Sequence, residues 1–197
     1  MTNRRNNAFT KLIKQTDEPM REIRNSSHAN RGLNFEHEIE LSNNWYNEEG
    51  VCMVLKRPTP IKVIGVDHKR MRITDAVYLK QSTLDYSGVY RGRYIDFEAK
   101  STQLSSFPIS NVLGHQIKHI EKVLKHEGIS FLLISFEKHQ EVFFVHGRQL
   151  ISLIENGVKS IKYDWIKENC HSVPLKFNPR IDYISVLKNY VSSDVLK

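Results

Sequence analysis

Apolar and polar side chains alternate without a break from Ile95 to Lys100: Ile95, Phe97 and Ala99 fall on one parity, Asp96, Glu98 and Lys100 on the other. A period of two predicts a strand with one buried face. Leu84–Tyr90 reads as a second strand, and Arg91-Gly92 between them as a two-residue hairpin turn. In that register Tyr90 faces Arg93, Asp85 faces Glu98 and Thr83 faces Lys100. Thr83, Asp85, Asp96, Glu98 and Lys100 then share one face, and the apolar parity points to the core.

The rest of the chain alternates less cleanly. Leu33, Phe35, Ile39, Trp45 and Tyr46 fit an amphipathic helix over 33–49, opening after Gly32 and stopped by Gly50. Val51–Leu55 predicts a short buried strand. Pro58 and Pro60 break regular structure, after which Ile61–Val66 and Met71–Ile73 predict two short strands around a turn near Gly65–Lys69. Such a hairpin carries little core of its own. Ala76–Leu79 reads as a further strand and Ser105–Pro108 as a loop. Residues 110–126 predict a helix, with Val112, Ile120, Val123 and Leu124 near the 3.6 period and Gly128 past its end. Ile129–Phe136 is apolar on both parities, as an inner parallel strand is. Glu141–Val145 predicts another strand, and Gly147–Glu155 and Ile161–Asn169 predict short helices. Strand, helix and strand over 93–135 imply a right-handed crossover unit, so the expected class is α/β.

Charge sharpens this picture. The 197 residues suggest one domain with an arm or an insertion. Lys plus Arg number 29 against 22 Asp plus Glu, a net of +7, which favours polyanionic partners such as nucleic acid. The excess is local: residues 1–31 hold seven basic and three acidic side chains, and Lys56–Arg72 six and one. Residues 1–29 read either as a flexible basic tail or as an arm that orders on DNA. The segment after Lys56 reads either as a solvated hairpin or as a projecting basic element that enters a nucleic-acid cavity.

Several classes fall away. The longest apolar run, Ile129–Phe136, contains Ser130 and Ser135 and is far shorter than the roughly 20 residues of a spanning helix. The N-terminus lacks the apolar core of a secretory signal. Cys52 and Cys170 are too few for a disulfide framework, and Cys52 reads as a buried reduced thiol. Without a P-loop, a G-x-G-x-x-G or a C-x-x-C, the expectation is a cytoplasmic protein with no organic cofactor.

The facing acids carry the chemistry. Two opposed carboxylates sit about 4.5–5.5 Å apart at Cβ, and like charges there destabilise a sheet. A hard divalent cation between them removes the repulsion, and Mg²⁺ takes one or two carboxylates plus waters and phosphate oxygens. Lys100, one alternation on, can fix an attacking water or neutralise charge developing on a phosphate. A metal, an activated water and a cation in one place suit phosphodiester hydrolysis. The plainer reading is an exposed strand face whose charges keep the sheet soluble, and a register slip of one residue would part the acids.

Asp, a short hairpin, Glu-x-Lys and then a helix resemble the PD-(D/E)xK nuclease superfamily. The strings NRG at 30–32 with Phe35-Glu36, KRPTP at 56–60, KQST-x-DY-x-G at 80–88, Y-x-GRYIDFEAK at 90–100, SFP at 106–108, HQI at 115–117 and PRIDYI at 179–184 together resemble the RecU Holliday-junction resolvases over about residues 30–185. The resemblance implies a restriction-endonuclease-like core, a mixed central sheet flanked by helices, spanning 30–190. A projecting basic stalk is inserted at about 59–80. It implies a homodimeric endonuclease using Mg²⁺, with Mn²⁺ as a substitute, that cuts four-way DNA junctions by paired nicks in recombination and repair. By motif position Thr83, Asp85, Glu98 and Gln116 match the metal ligands, Thr83 and Gln116 through backbone or water. Lys100 matches the transition-state stabiliser and Glu36 a supporting acid. The expected DNA contacts are Arg31, Lys56, Arg57, Lys62, Lys69, Arg70 and Arg72. A RecA-type recombinase and a branch-migration motor are the implied protein partners.

Other features compete for attention. His115 and His119 have the i, i+4 spacing of a zinc helix, but Gln116 stands where the catalytic Glu would, and a helix side facing the cleft or DNA fits them better. Tyr86, Tyr90 and Tyr94 read as sheet aromatics or as stacking partners for nucleic acid. Phe143 and Phe144 read as core. Arg180 and Asp182 read as an ion pair or as a phosphate contact. Two rival functions stand: a nuclease of the same superfamily for another DNA structure, and a non-catalytic DNA-binding recombination modulator. An intact Asp85, Glu98 and Lys100 argues against the second.

Overall fold

The computed structural model describes residues 28–79 and 83–192. The expected arm, apart from its last two residues, lies outside the described residues, as does Lys80 at the end of the expected stalk.

The fold is built on the row of aromatic rings that the apolar parity of the hairpin supplies. Tyr86, Phe97, Phe131 and Phe144 stack in sequence, with centroids 4.8, 4.7 and 4.2 Å apart. They belong to four adjacent strands: β4 (Tyr86–Tyr90), β5 (Arg93–Thr102), β7 (Ile129–Phe136) and β8 (Glu141–His146). Each stacked pair contributes about 0.5–1.5 kcal/mol beyond its burial, so the row favours one register across the sheet. With β1 (Met53–Lys56) and β10 (His171–Val173) at the edges, the sheet order is β1-β4-β5-β7-β8-β10. Only β5 and β7 run parallel; the other pairs are antiparallel, so the sheet is mixed as expected.

Helices cover both faces. On the aromatic face lie α1 (His28–Glu48), through Phe35, Ile39 and Tyr46, and α5 (Tyr183–Ser192), through Tyr183, Leu187 and Val191. On the other face Leu132, Ile134, Phe143 and Val145 pack against α2 (Gly114–Lys125), α3 (Gly147–Glu155) and α4 (Tyr163–Asn169). Phe143 and Phe144 thus enter opposite halves of the core, as neighbours on a strand must. Cys52 is buried and free, and Cys170 is free and half-buried. Among the described residues no helix is long and apolar enough to cross a membrane.

The β4–β5 hairpin has the expected register, Tyr90 opposite Arg93 through Tyr86 opposite Phe97. Arg91 and Gly92 both take positive φ, +50° and +75°, the geometry of a type I′ turn. Gly88 is required on the other side: a Cβ there would lie 2.0 Å from the Met53 carbonyl of β1.

Several elements differ from the sequence reading. Helix α1 opens at His28, five residues before Leu33, and runs through Gly32. Ser106–Pro108 forms a strand, β6, not a loop, because it pairs with β9 (Ser160–Lys162), which in turn takes the first residues assigned to the helix at 161–169. The helix expected over 110–126 begins at Gly114, and a 3-10 turn over Ile109–Asn111 precedes it. Met71–Ile73 and Ala76–Leu79 merge into one strand, β3 (Arg72–Tyr78), paired with β2 (Ile61–Asp67). This separate two-stranded sheet occupies the segment expected as the stalk, and no residue of either strand is fully buried.

Candidate active site

Strand β5 places Asp96, Glu98 and Lys100 on the face away from the aromatic row. Asp96 and Glu98 are buried there, 0% and 1% exposed, so the plainer reading of solubilising surface charges does not hold. Asp85 precedes β4, and its carbonyl still accepts from Arg57 N at 2.7 Å. Its amide donates to Glu98 Oε2 at 3.1 Å, and its own Oδ2 accepts from Ala99 N at 3.1 Å. Side chain and backbone thus exchange places at the mouth of the hairpin, which locks the two acids together.

The ladder ends there, so the expected pairing of Thr83 with Lys100 is not made. Leu84 turns into the core cluster beneath α2, on the face that strict alternation denies it. The Thr83 hydroxyl accepts from Arg57 Nη1 instead.

Two more groups meet Glu98. Lys100 Nζ lies 2.6 Å from Glu98 Oε1, and Gln116 Nε2 donates to the same oxygen at 2.6 Å. The other end of the Gln116 amide accepts from Leu113 N at 2.9 Å and closes the first turn of α2. Gln116 therefore clips the helix to the acid. Glu36, on α1, pairs with Lys56 at 2.9 Å, and Lys56 also meets Glu40 at 2.6 Å.

Burial and mutual repulsion set the protonation. Glu98 is pushed from the usual glutamate value up to about 7, first by burial, then by the Asp85 charge, against the pull of Lys100 and Gln116. Asp85 is raised as well, chiefly by burial and also by Glu36, while the Ala99 amide and Lys100 hold it down. A pair of this kind favours a shared cation. Among the described residues no group of three or more His, Cys, Asp or Glu could hold a metal. Two adjacent carboxylates, Glu98 buried and Asp85 half-buried, are a donor set suited to a hard, hydrated ion such as Mg²⁺ and poor for Zn²⁺, which takes three or four nitrogen or sulfur ligands.

A second cluster adjoins the first. Asp96 Oδ2 accepts from Arg57 Nη2 at 2.5 Å and Tyr94 Oη at 2.5 Å, and lies 3.1 Å from His119 Nε2. The sequence put Asp96 on the right face and gave it no task, since its partners come from distant elements. His119 faces this carboxylate. Tyr94 belongs to the cluster, whereas Tyr86 and Tyr90 are core. Arg180 and Asp182 pair elsewhere, with Glu38 at 3.4 Å and Lys176 at 2.5 Å.

The basic positions divide. Lys62, Lys69, Arg70 and Arg72 are exposed on the stalk, where Asp67 accepts from Lys69 N and Arg70 N at 3.0 and 3.1 Å and shapes the tip. Lys56 and Arg57 stand at its root, beside the acids. Arg31 falls in the first turn of α1, whose side chains lie outside the described residues.

Comparisons with known proteins identify the family. The family model described as RecU, recombination protein U, matches residues 30–189. Curated relatives named Holliday junction resolvase RecU include one from Geobacillus kaustophilus, 41% identical over 83% of this chain and 86% of its own. One from Streptococcus mutans is 38% identical over 93% and 96%. One from Geobacillus thermodenitrificans is 40% identical over 83% and 85%. Among solved structures, Archaeoglobus fulgidus Hjc, titled a Holliday junction resolvase, overlaps with a TM-score of 0.38 and 8% identity over 60% of this chain and 74% of its own. With a family model covering most of its length and relatives near 40% identity, the chain belongs to the RecU family.

Proposed function

We propose that the domain over 30–190 is a divalent-cation-dependent endonuclease that resolves four-way DNA junctions by paired nicks, working as a homodimer. The observation that carries this is the pairing of half-buried Asp85 with buried Glu98, with the Lys100 ammonium 2.6 Å from Glu98. The names of the relatives supply the substrate. Asp85 and Glu98 would hold the ion, Mg²⁺ or Mn²⁺, with Thr83 and Gln116 in support. When bound, the metal supplies Lewis-acid stabilisation of the phosphate and an acidified water.

The chain's own groups do the remainder. Gln116 keeps one Glu98 oxygen oriented. Lys100, partly exposed, neutralises charge that builds on the phosphate oxygens as water attacks in line. Glu36 adds negative charge beside Asp85. The stalk, with Lys62, Lys69, Arg70 and Arg72 exposed, engages the junction, and Lys56, Arg57 and Arg31 contact phosphates nearer the core. Two-fold symmetry places two such sites on related strands, so paired nicks resolve the junction. A RecA-type recombinase and a branch-migration motor are its partners in the cell.

A labelled four-way junction, incubated with Mg²⁺, with EDTA and with Asp85→Ala, tests the proposal. Nicking at paired positions with Mg²⁺ alone is expected, with junction binding kept in the variant. Wild-type cleavage by Asp85→Ala overturns the site assignment. A linear duplex cut as well as the junction overturns the substrate.

A further inference from the structure

The stalk leaves the core at Lys56 and returns at Thr83, two residues from Asp85, and the side chains at its root are tied to one buried oxygen. Arg57, the first residue after β1, donates to Thr83 Oγ1 through Nη1, and through Nη2 to Tyr94 Oη and Asp96 Oδ2. The two ends of the insertion are thereby held to each other and to β5. His119 brings α2 to the same Asp96 oxygen. Gln116 and His119, one helical turn apart, clip onto Glu98 and Asp96, one strand alternation apart. The stalk root, the metal-site strand and the helix that orients Glu98 therefore converge on Asp96.

Stability does not explain a carboxylate at this position. Beside Asp96 the adjacent strand carries Ser130, whose buried hydroxyl makes no hydrogen bond to the carboxylate, and further along the same face Leu132 and Ile134 lie beside Glu98 and Lys100. A buried ion pair is often no more stabilising than hydrocarbon of similar volume, because desolvation offsets the attraction. Asp96 Oδ1 is buried with no hydrogen-bond partner in the structure, a further cost of keeping the acid there. A planar guanidinium with three fixed bonds does, however, define direction. A free arginine on a solvated loop would not.

We propose that Asp96 is a positioning residue: through Arg57 it fixes the angle of the stalk against the Asp85–Glu98 centre, and so selects which phosphodiester of the engaged junction is cut. This rests on the junction-nuclease reading above. Asp96 does not touch the reacting atoms. Its loss leaves the acids, Lys100 and the stalk charges in place and lets the junction settle in more than one register.

The experiment maps the cut positions on an end-labelled four-way junction under single turnover with Mg²⁺, comparing full-length wild type, Asp96→Asn and Arg57→Gln. Both variants are expected to spread their nicks onto neighbouring phosphodiesters and to slow by about tenfold or more, since small displacements of a reacting group are costly. Junction binding in EDTA stays within about threefold for Asp96→Asn, because the stalk's four charges carry most of it; Arg57→Gln gives up a phosphate contact as well, so its cut positions are mapped at saturating protein. The double variant is no worse than either single one, since both break one connection. Arg57→Gln is at the rim, so its melting temperature reports folding independently of the buried Asn. Unchanged cut positions in both variants, with only a proportional loss of rate or of melting temperature, overturn the inference. A wild type that never nicks a junction overturns the reading beneath it instead.

Discussion

Two antiparallel hairpins of similar length lie side by side in this chain and use their apolar residues in opposite ways. In β4–β5, Tyr86, Tyr90, Ile95 and Phe97 are all buried, and the reverse face is given to Asp96 and Glu98. In β2–β3, Ile61, Val63, Ile64, Val66, Ile73 and Val77 are each at least 40% exposed. A two-stranded sheet with no cover is marginal by itself. The first hairpin thus owes its geometry to packing, which can hold acids at a separation that water would not allow. The second buries little and instead presents charge, with Lys69, Arg70 and Arg72 at its tip. On the proposed function, chemistry needs the buried hairpin and recognition the exposed one.

Opposite substitutions should separate these roles most sharply. Glu98→Gln removes a charge from the pair proposed to hold the metal, and cleavage of a four-way junction is expected to fall by about 10³-fold or more. Its affinity for the junction, measured by gel shift in EDTA, should stay close to wild type. Replacing Lys69, Arg70 and Arg72 by Ala should do the reverse. Affinity weakens, and the slope of log K against log salt falls by about 2.7, while cleavage at saturating protein persists. If both proteins lost binding and cleavage in step, the division of labour would be wrong.

The buried hairpin is also where stability resides. Phe97→Ala empties a site flanked by Tyr86 and Phe131 at 4.8 and 4.7 Å and is expected to cost about 3–5 kcal/mol in urea unfolding. The acids on its reverse side add a pH dependence. Glu98 keeps its proton up to about 7 in the folded chain and only to its usual value when unfolded. In that window the folded state binds more protons, so stability is full below about pH 4.5 and falls as pH rises towards 7, by up to about 3 kcal/mol. Mg²⁺ offsets the repulsion, so the rise in melting temperature on adding it should grow from pH 5 to pH 8. Glu98→Gln should flatten both trends. An equal Mg²⁺ effect at every pH would mean that the ion binds elsewhere.

The register of the functional hairpin was legible because three local signals agree: unbroken alternation, an Arg-Gly turn suited to positive φ, and aromatic residues on one parity. The limits have physical causes too. Alternation governs residues inside a ladder, and Leu84 lies just outside one, so it turns back into the core and takes Thr83 away from Lys100. Strand β6 exists only because Ser160–Lys162 pairs with it, and three residues with a proline carry no strand signal alone. Helix α1 gains its first turn at positions with no apolar stripe, where periodicity is silent. Asp96 was placed on the right face, but its value depends on Arg57 and His119, which are 39 and 23 residues away. Strand parity gives direction, and only the fold gives company.

The smallest expected effect completes the contrast. Ile64 is 59% exposed on β2, although it is as apolar as Ile95, which is 0% exposed on β5. Ile64→Ser should therefore shift unfolding of the free protein by no more than about 0.5 kcal/mol, since no buried area is lost. Ile95→Ser exposes a hydroxyl to the core and leaves a cavity, and should cost several-fold more. The two melting curves, recorded without DNA, decide the point. A loss at Ile64 matching that at Ile95 would show that the stalk is packed against something before any junction arrives, and the exposed hairpin would then need a core of its own.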